Sequence, residues 1–377
     1  MKIAYLSSAA LPSDSANSLQ VVKMCQAFAQ EGHEVHLILP PADSTEQNPL
    51  QILESYGVRS AFPVHRVKLL PLLGRRGLAW AEAGQAAQFA PHLVYTRGID
   101  IAWAAAQHGF PVMLEMHQPP SGRIGPLYFR QILGRRNLRL AVISRALEEI
   151  LRRDYPALHG REILVIPDAV DGDAYRTLPT PGRARARLSL PARKFTAGYF
   201  GSLVAGRGVE LICEAARRVP GTDFLMLGGR PAEVGDWRAR TIAAGNIRWL
   251  GHIPNAEVPL HQAACDVLLM PYQRTVTIRG KGDTAGFMSP MKLYEYMAAG
   301  RAILASDLPA LRVMLNERNS ILLPPEEPAA WADALEKIRK RPDLRKRIAL
   351  RARADVGPHT WRSRVRRILE FTAVHHE

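Results

Sequence analysis

The 377-residue chain has only three cysteines, Cys25, Cys213 and Cys265. Their spacing suits neither a metal site nor a disulfide, and each falls in a stretch read as helix, which points to a reducing compartment without a disulfide or zinc framework. Acidic residues are also scarce: 35 Asp and Glu face 50 Lys and Arg, a formal net charge of +15. The excess is not accompanied by a zinc-finger, helix-turn-helix or ribonucleoprotein pattern, so nucleic acid is not an expected partner. No run approaches the roughly 18 apolar residues that a membrane span needs. Met1-Lys-Ile-Ala-Tyr-Leu-Ser7 turns polar too soon for a signal peptide and reads as a strand. The expected location is cytoplasmic.

The positive charge is uneven. Nine arginines between Arg123 and Arg161 face Glu148, Glu149 and Asp154, and thirteen Lys/Arg between Lys337 and Arg367 face Glu336, Asp343 and Asp355. Such surfaces attract anionic substrates or lipid. Arg66-Val-Lys-Leu-Leu-Pro-Leu-Leu-Gly-Arg-Arg76 adds an apolar stretch flanked by cations, so peripheral contact with an anionic inner membrane face is a further expectation.

The length allows two domains, and the 47% hydrophobic share is that of a globular protein. Strand and helix patterns alternate from the start: a strand from Lys2, a helix from Ser18 to Gly32, then strands at Glu34–Leu39, Pro63–Lys68, Leu93–Arg97, Val112–His117, Arg139–Ser144 and Ile163–Pro167. This order predicts a doubly wound parallel α/β domain over residues 1–172, with ligands at the carboxyl ends of its strands. Thr177–Arg187, rich in Pro and Arg, breaks the periodicity and reads as the boundary. A second α/β alternation fills 173–358, with strands at Thr196–Ser202, Phe224–Leu227, Ile247–Gly251, Asp266–Pro271, Ala302–Ser306 and Ser320–Leu323. The tail reads as two helices, Pro328–Val356 and Thr360–Val374, parted by Gly357-Pro358.

Several strand ends carry polar groups. A loop of small residues reaches Asn17 and Ser18 after the first strand, Arg97 ends another, and Glu115 and His117 end a third. In the second half, Tyr199-Phe-Gly-Ser-Leu-Val-Ala-Gly-Arg-Gly208 is a strand-to-helix turn. Gly201, Gly206 and Gly208 permit close backbone approach to a phosphate there, and Arg207 supplies a charged donor. Met288-Ser-Pro-Met-Lys-Leu-Tyr-Glu-Tyr-Met-Ala-Ala-Gly300 predicts a helix with Ser289 as N-cap, Pro290 in the first turn and Gly300 as a left-handed C-cap. Leu293, Tyr296 and Met297 share one face, Lys292, Glu295 and Ala299 the other. Free amides and Lys292 at its start suit a phosphate, and Glu295 one turn on suits hydroxyl donors.

This helix resembles the signature helix of the retaining glycosyltransferases of family 4. Most of that family has two glutamates seven residues apart. Glu295 matches the second and Phe287 stands at the first, as in the branch with Ser-Pro-x-Lys there. Gly201–Gly208 resembles the family's phosphate loop, with Arg207 where a lysine is usual and Ser202 where an arginine is usual. Gly228-Gly229, Met270-Pro271-Tyr272 and Val165–Asp171 are similar to further landmarks. The resemblance implies a GT-B fold: two Rossmann-like domains facing across a cleft, with the last helix, within 359–377, crossing back to the first. It implies a retaining transferase that moves a sugar from a nucleotide-diphosphate-sugar to a hydroxyl acceptor in cell-envelope polysaccharide, glycolipid or glycoconjugate synthesis, without metal or other cofactor. His117, Arg207 and Lys292 are then the catalytic residues. Gly201, Ser202, Arg207, Gly228, Met288, Ser289, Lys292 and Glu295 bind the donor, and Asn17, Ser18, Arg97 and Glu115 lie on the acceptor side. Asp171-Gly-Asp173 spells a metal motif of another glycosyltransferase fold but sits where this family has its linker. A GT-B sugar-nucleotide epimerase and a non-catalytic sugar-nucleotide binder are the competing readings.

Overall fold

The computed structural model describes residues 1–41, 48–68, 74–191, 194–278 and 281–373. The chain forms two units, Met1–Asp168 together with the segment from Trp361 onward, and Ala169–Thr360.

Unit 1 is built on strands β1 (Lys2–Leu6), β2 (Glu34–Leu39), β3 (Val64–Arg66), β4 (Leu93–Thr96), β5 (Val112–Met116), β6 (Leu138–Val142) and β7 (Leu164–Val165). They form one sheet in the order β3-β2-β1-β4-β5-β6-β7, every pair parallel. The near-continuous apolar runs of β1, β2 and β5 follow from burial on both faces of a parallel sheet. The order reverses between β1 and β4, and at such a switch point the loops diverge and leave a crevice beyond the strand ends.

The helix Trp361–Ala373 belongs to this unit. Its buried positions Trp361, Val365, Ile368 and Thr372 recur at helical spacing, and Arg364 lies among them. It packs on the helix Ala16–Gln30, where Arg362 and Arg366 both pair with Glu31.

Unit 2 repeats the plan with β8 (Phe195–Phe200), β9 (Thr222–Leu227), β10 (Ile247–Gly251), β11 (Val267–Met270), β14 (Ala302–Ser306) and β15 (Ile321–Leu323), ordered β10-β9-β8-β11-β14-β15 and all parallel. A short antiparallel pair, β12 (Thr277–Ile278) with β13 (Lys281–Asp283), lies between β11 and the signature helix.

Local readings change in four places. Thr177–Arg187 is not the boundary, since the units divide after Asp168: Pro181–Arg187 is a helix, and buried Arg185 pairs with Asp266 and gives Nε–H to the Ala264 carbonyl at 2.8 Å, which ties the segment to unit 2. The tail holds three helices, because Pro342 lacks an amide to continue the helix Pro328–Lys340 and instead opens Pro342–Val356. The first helix begins at Ala16 with Ser15 as N-cap, not at Ser18. Cys265 follows a helix rather than lying in one; all three cysteines are buried and free.

Among the described residues no helix is long and apolar enough to cross a membrane. Part of Arg66–Arg76, residues 69–73, lies outside the described residues. Arg66 itself is engaged, donating to the Leu11 and Pro40 carbonyls at 2.7 and 3.1 Å.

Candidate active site

In unit 2 the relevant groups gather where β8 and β11 end, beside the switch point. The signature helix runs from Met291 to Ala298, starting one residue later than expected. The Met288 amide still bonds the Thr284 carbonyl at 2.9 Å, and Pro290, without a side-chain bond, is the N-cap in place of Ser289. Gly300 has the expected left-handed conformation, φ +61°. The helix is buried on more than one face: Leu293, Tyr294, Tyr296, Met297 and Ala299 are all at or below 1% exposure. At roughly 1.5–3 kcal/mol for each large side chain, that burial fixes the helix on the sheet. The Phe200 amide donates to the Tyr296 hydroxyl at 2.9 Å, locking it to the end of β8.

Lys292 and Glu295 remain half-buried. Lys292 reaches back to Gly201, whose φ of +155° favours glycine and where a Cβ would lie 2.6 Å from Nζ and displace the ammonium. Gly208 caps the helix Val209–Arg218 at φ +74°, and a Cβ there would meet the Pro271 carbonyl oxygen at 1.8 Å. Gly228 packs its backbone on that of Gly201.

Arg207 lies close enough to Lys292 for mutual repulsion. Two tyrosine rings seat the pair: Lys292 Nζ is 4.4 Å from the centroid of Tyr199 and 5.0 Å from that of Tyr272, and the Arg207 guanidinium is 5.0 Å from Tyr272. Arg207 Nε is buried without a hydrogen-bond partner among the described residues. Burial first, and Arg207 second, lower Lys292 to about 7, while Glu295 opposes them. Two adjacent cations, one carrying an unspent donor, form a prearranged seat for a multiply charged anion.

This predicts a proton linkage. At about pH 8 much of the free protein has neutral Lys292, and a bound diphosphate restores its charge. Binding should take up close to one proton above about pH 7, and affinity should fall as pH rises through that value. Calorimetry in buffers of different ionisation enthalpy measures the uptake.

The other expected donor residues are less uniform. Ser202 is exposed and lends its carbonyl to the Tyr199 hydroxyl at 2.7 Å, Met288 is a core side chain, and Ser289 is half-buried. Glu295 lies by the buried phenol of Tyr175, which it helps hold protonated.

In unit 1 the strand ends are equally specific. Glu115 is fully buried and accepts from Gln20 at 3.0 Å, from Tyr95, from His117 Nε2 and from both ends of the Arg364 guanidinium at 3.0 and 2.9 Å. The expected acceptor-side carboxylate is thus an internal anchor for His117. Arg364 and His117 are among the groups that hold it well below the usual carboxylate range against its burial. His117 is lowered to about 4, chiefly by burial and then by Arg97. Arg97 is half-buried and donates to Gln20 at 3.2 Å. Ser18 is buried and gives its hydroxyl to the Ala10 carbonyl at 2.8 Å, shaping the loop after β1, while Asn17 is exposed. Donor atoms of Glu115, His117 and Asp168 lie within 4.8 Å of one another, but the cation bound to Glu115 there is the Arg364 guanidinium. Asp171 and Asp173 serve a turn, the first accepting from the Ala174 amide and the second paired with Arg176.

Two family models match the chain, one for each half: Glycosyltransferase Family 4 over residues 19–174 and Glycosyl transferases group 1 over residues 194–341. A phosphatidyl-myo-inositol mannosyltransferase of Mycobacterium tuberculosis is 25% identical over 94% of this chain and 92% of its own. A D-inositol 3-phosphate glycosyltransferase of Xylanimonas cellulosilytica is 25% identical over 91% and 88%. Among solved structures, HepE of Anabaena in complex with UDP and glucose superposes with a TM-score of 0.75 at 18% identity, covering 99% of each chain. Two parallel Rossmann-like sheets and both family matches agree: the chain is a GT-B glycosyltransferase of the group 1 and family 4 type.

Proposed function

We propose that the chain is a retaining, metal-independent glycosyltransferase that moves a sugar from a nucleotide-diphosphate-sugar to a hydroxyl acceptor of cell-envelope glycolipid or polysaccharide synthesis. One observation carries this reading: Arg207 and Lys292 stand together at the switch point of unit 2, with Arg207 Nε lacking a partner among the described residues. Departure of a nucleoside diphosphate places negative charge there, and the cation pair meets it without a metal. HepE supports the donor class, having been solved with UDP. The two inositol-directed relatives support a polyol acceptor.

A double displacement needs a carboxylate nucleophile beside the anomeric carbon. Phe287 occupies the family's first glutamate position, and Glu115 is saturated by five donors. Retention is therefore assigned to front-face attack, the departing phosphate helping to take the acceptor's proton. Glu295 is assigned to the ribose hydroxyls, because a carboxylate accepts well from a vicinal diol. Glu295→Gln should raise the donor dissociation constant with a smaller effect on kcat; an unchanged constant in direct titration would remove the role. The transferase reading is tested by acceptor-dependent release of nucleoside diphosphate across a panel of donors.

A further inference from the structure

We propose that Arg364, on the last helix, is the positioning residue that fixes the ring proton of His117 on Nε2 and leaves Nδ1 as the atom that accepts a hydrogen bond from a substrate sugar hydroxyl other than the attacking one. The inference rests on the transferase reading for what Nδ1 meets, but the placement of the proton stands on the geometry of unit 1 alone.

Glu115 is the link. Its Oε1 accepts from Gln20, His117 Nε2 and one Arg364 nitrogen, and its Oε2 from Tyr95 and the other. Gln20, Tyr95 and the two Arg364 nitrogens fill the roughly four acceptor sites of the carboxylate without counting His117, which leaves it no capacity to hold a proton of its own, so it is ionised and accepts only. Nε2 of His117 must then carry hydrogen. The ring stays neutral, because burial, Arg97 and Arg364 outweigh the attraction of Glu115. A neutral ring protonated at Nε2 has its lone pair on Nδ1.

The charged and titratable groups around this pair come from several elements. They are Arg97 beyond β4, Tyr95 on β4, Tyr5 on β1, Arg364 on the last helix and Asp168 beside it. Arg364 is itself held in place, donating to the Pro167 carbonyl at 2.8 Å and to that of Ile166 at 3.3 Å. Without it, Glu115 is a buried anion that has lost its main counter-charge, and the pair draws in a proton. The imidazole is the more basic partner and takes it, so Nδ1 loses its lone pair. The last helix thereby acts on His117 through Glu115.

Nitrogen-15 NMR of the histidines in the full chain, followed from about pH 5 to 9, tests this. Wild-type His117 should show Nε2 protonated and Nδ1 bare throughout. In Arg364→Met its titration midpoint should rise by about one unit or more, into that window, and kcat should fall roughly tenfold or more with the donor KM little changed. Arg364→Lys, which keeps the charge, should restore part of the wild-type signature. Arg364→Met with unaltered His117 signals would overturn the proposal. So would wild-type His117 titrating near its ordinary value of about 6.5, or bearing its proton on Nδ1. The wild-type spectrum decides even if Arg364→Met folds poorly, and it is independent of whether transfer is observed.

Discussion

Lys292→Ala is expected to lower kcat/KM by about 10²–10³, equivalent to roughly 2.7–4 kcal/mol of transition-state stabilisation, and Arg207→Ala by a similar factor. The cause is differential. The donor's diphosphate is already anionic in the ground state, but the leaving group gains charge as the glycosidic bond breaks, so a fixed cation beside it acts most strongly in the transition state. Folding should respond in the opposite sense. Lys292 sits beside Arg207, and burial opposes its charge, so removing it relieves repulsion and desolvation. Lys292→Ala should melt no lower than wild type while losing activity, the pattern of a group kept for function at the expense of stability. Wild-type initial rates of nucleoside diphosphate release in both variants would remove the assignment.

Arg364→Met is expected to destabilise unit 1 by about 3–5 kcal/mol, measured as a lower urea midpoint. It strands the Glu115 carboxylate in the core without its partner. Arg364 is 3% exposed and Glu115 0%, so solvent screens the pair little. Arg366→Met, on the same helix but more than half exposed in its pair with Glu31, should change the midpoint far less. Removing the charge but keeping an acceptor for Gln20, Tyr95 and His117, as Glu115→Gln with Arg364→Met does, should recover part of the loss, since most of the penalty belongs to the unpaired charge. A midpoint in Arg364→Met equal to that of Arg366→Met would contradict the account.

Both parallel sheets were legible because their strands are buried on two faces and so appear as apolar runs, such as Ala302–Ser306, whose bounds match the reading. Glycine and proline marked other boundaries locally. Gly300 ends the signature helix as expected, whereas Pro342 opens a new helix from inside a helical pattern that runs unbroken in the sequence. The Ser289 cap was misplaced because Met288 still belongs to the preceding turn through Thr284, a bond no spacing rule reveals.

The site was legible as charges but not as a network. Lys292, Arg207 and His117 stand at strand or helix ends, where position alone singles them out. In the sequence Tyr199 and Tyr272 stand out only as backbone landmarks. Their rings seat cations far along the chain, which only the folded sheet brings near. Arg364 was missed because an arginine counts as exposed in an amphipathic reading. The signal was there, since it falls three residues after Trp361 and beside Val365, inside the buried stripe. Glu115 was placed by its strand end but given to the acceptor, because nothing local tells a carboxylate reaching solvent from one closed over by Arg364.

The central claim is that the cation pair of unit 2 holds a diphosphate that leaves as a sugar moves to an acceptor with its configuration retained. Proton NMR of the reaction mixture, run with a polyol acceptor and excess chelator over a panel of nucleotide-diphosphate-sugars, follows leaving group and product anomer together. The account predicts nucleoside diphosphate release from one donor only when acceptor is present, undiminished by chelator, with the donor's anomeric configuration in the product. Interconversion of donor sugars without acceptor, binding without turnover, or an inverted anomer would contradict it.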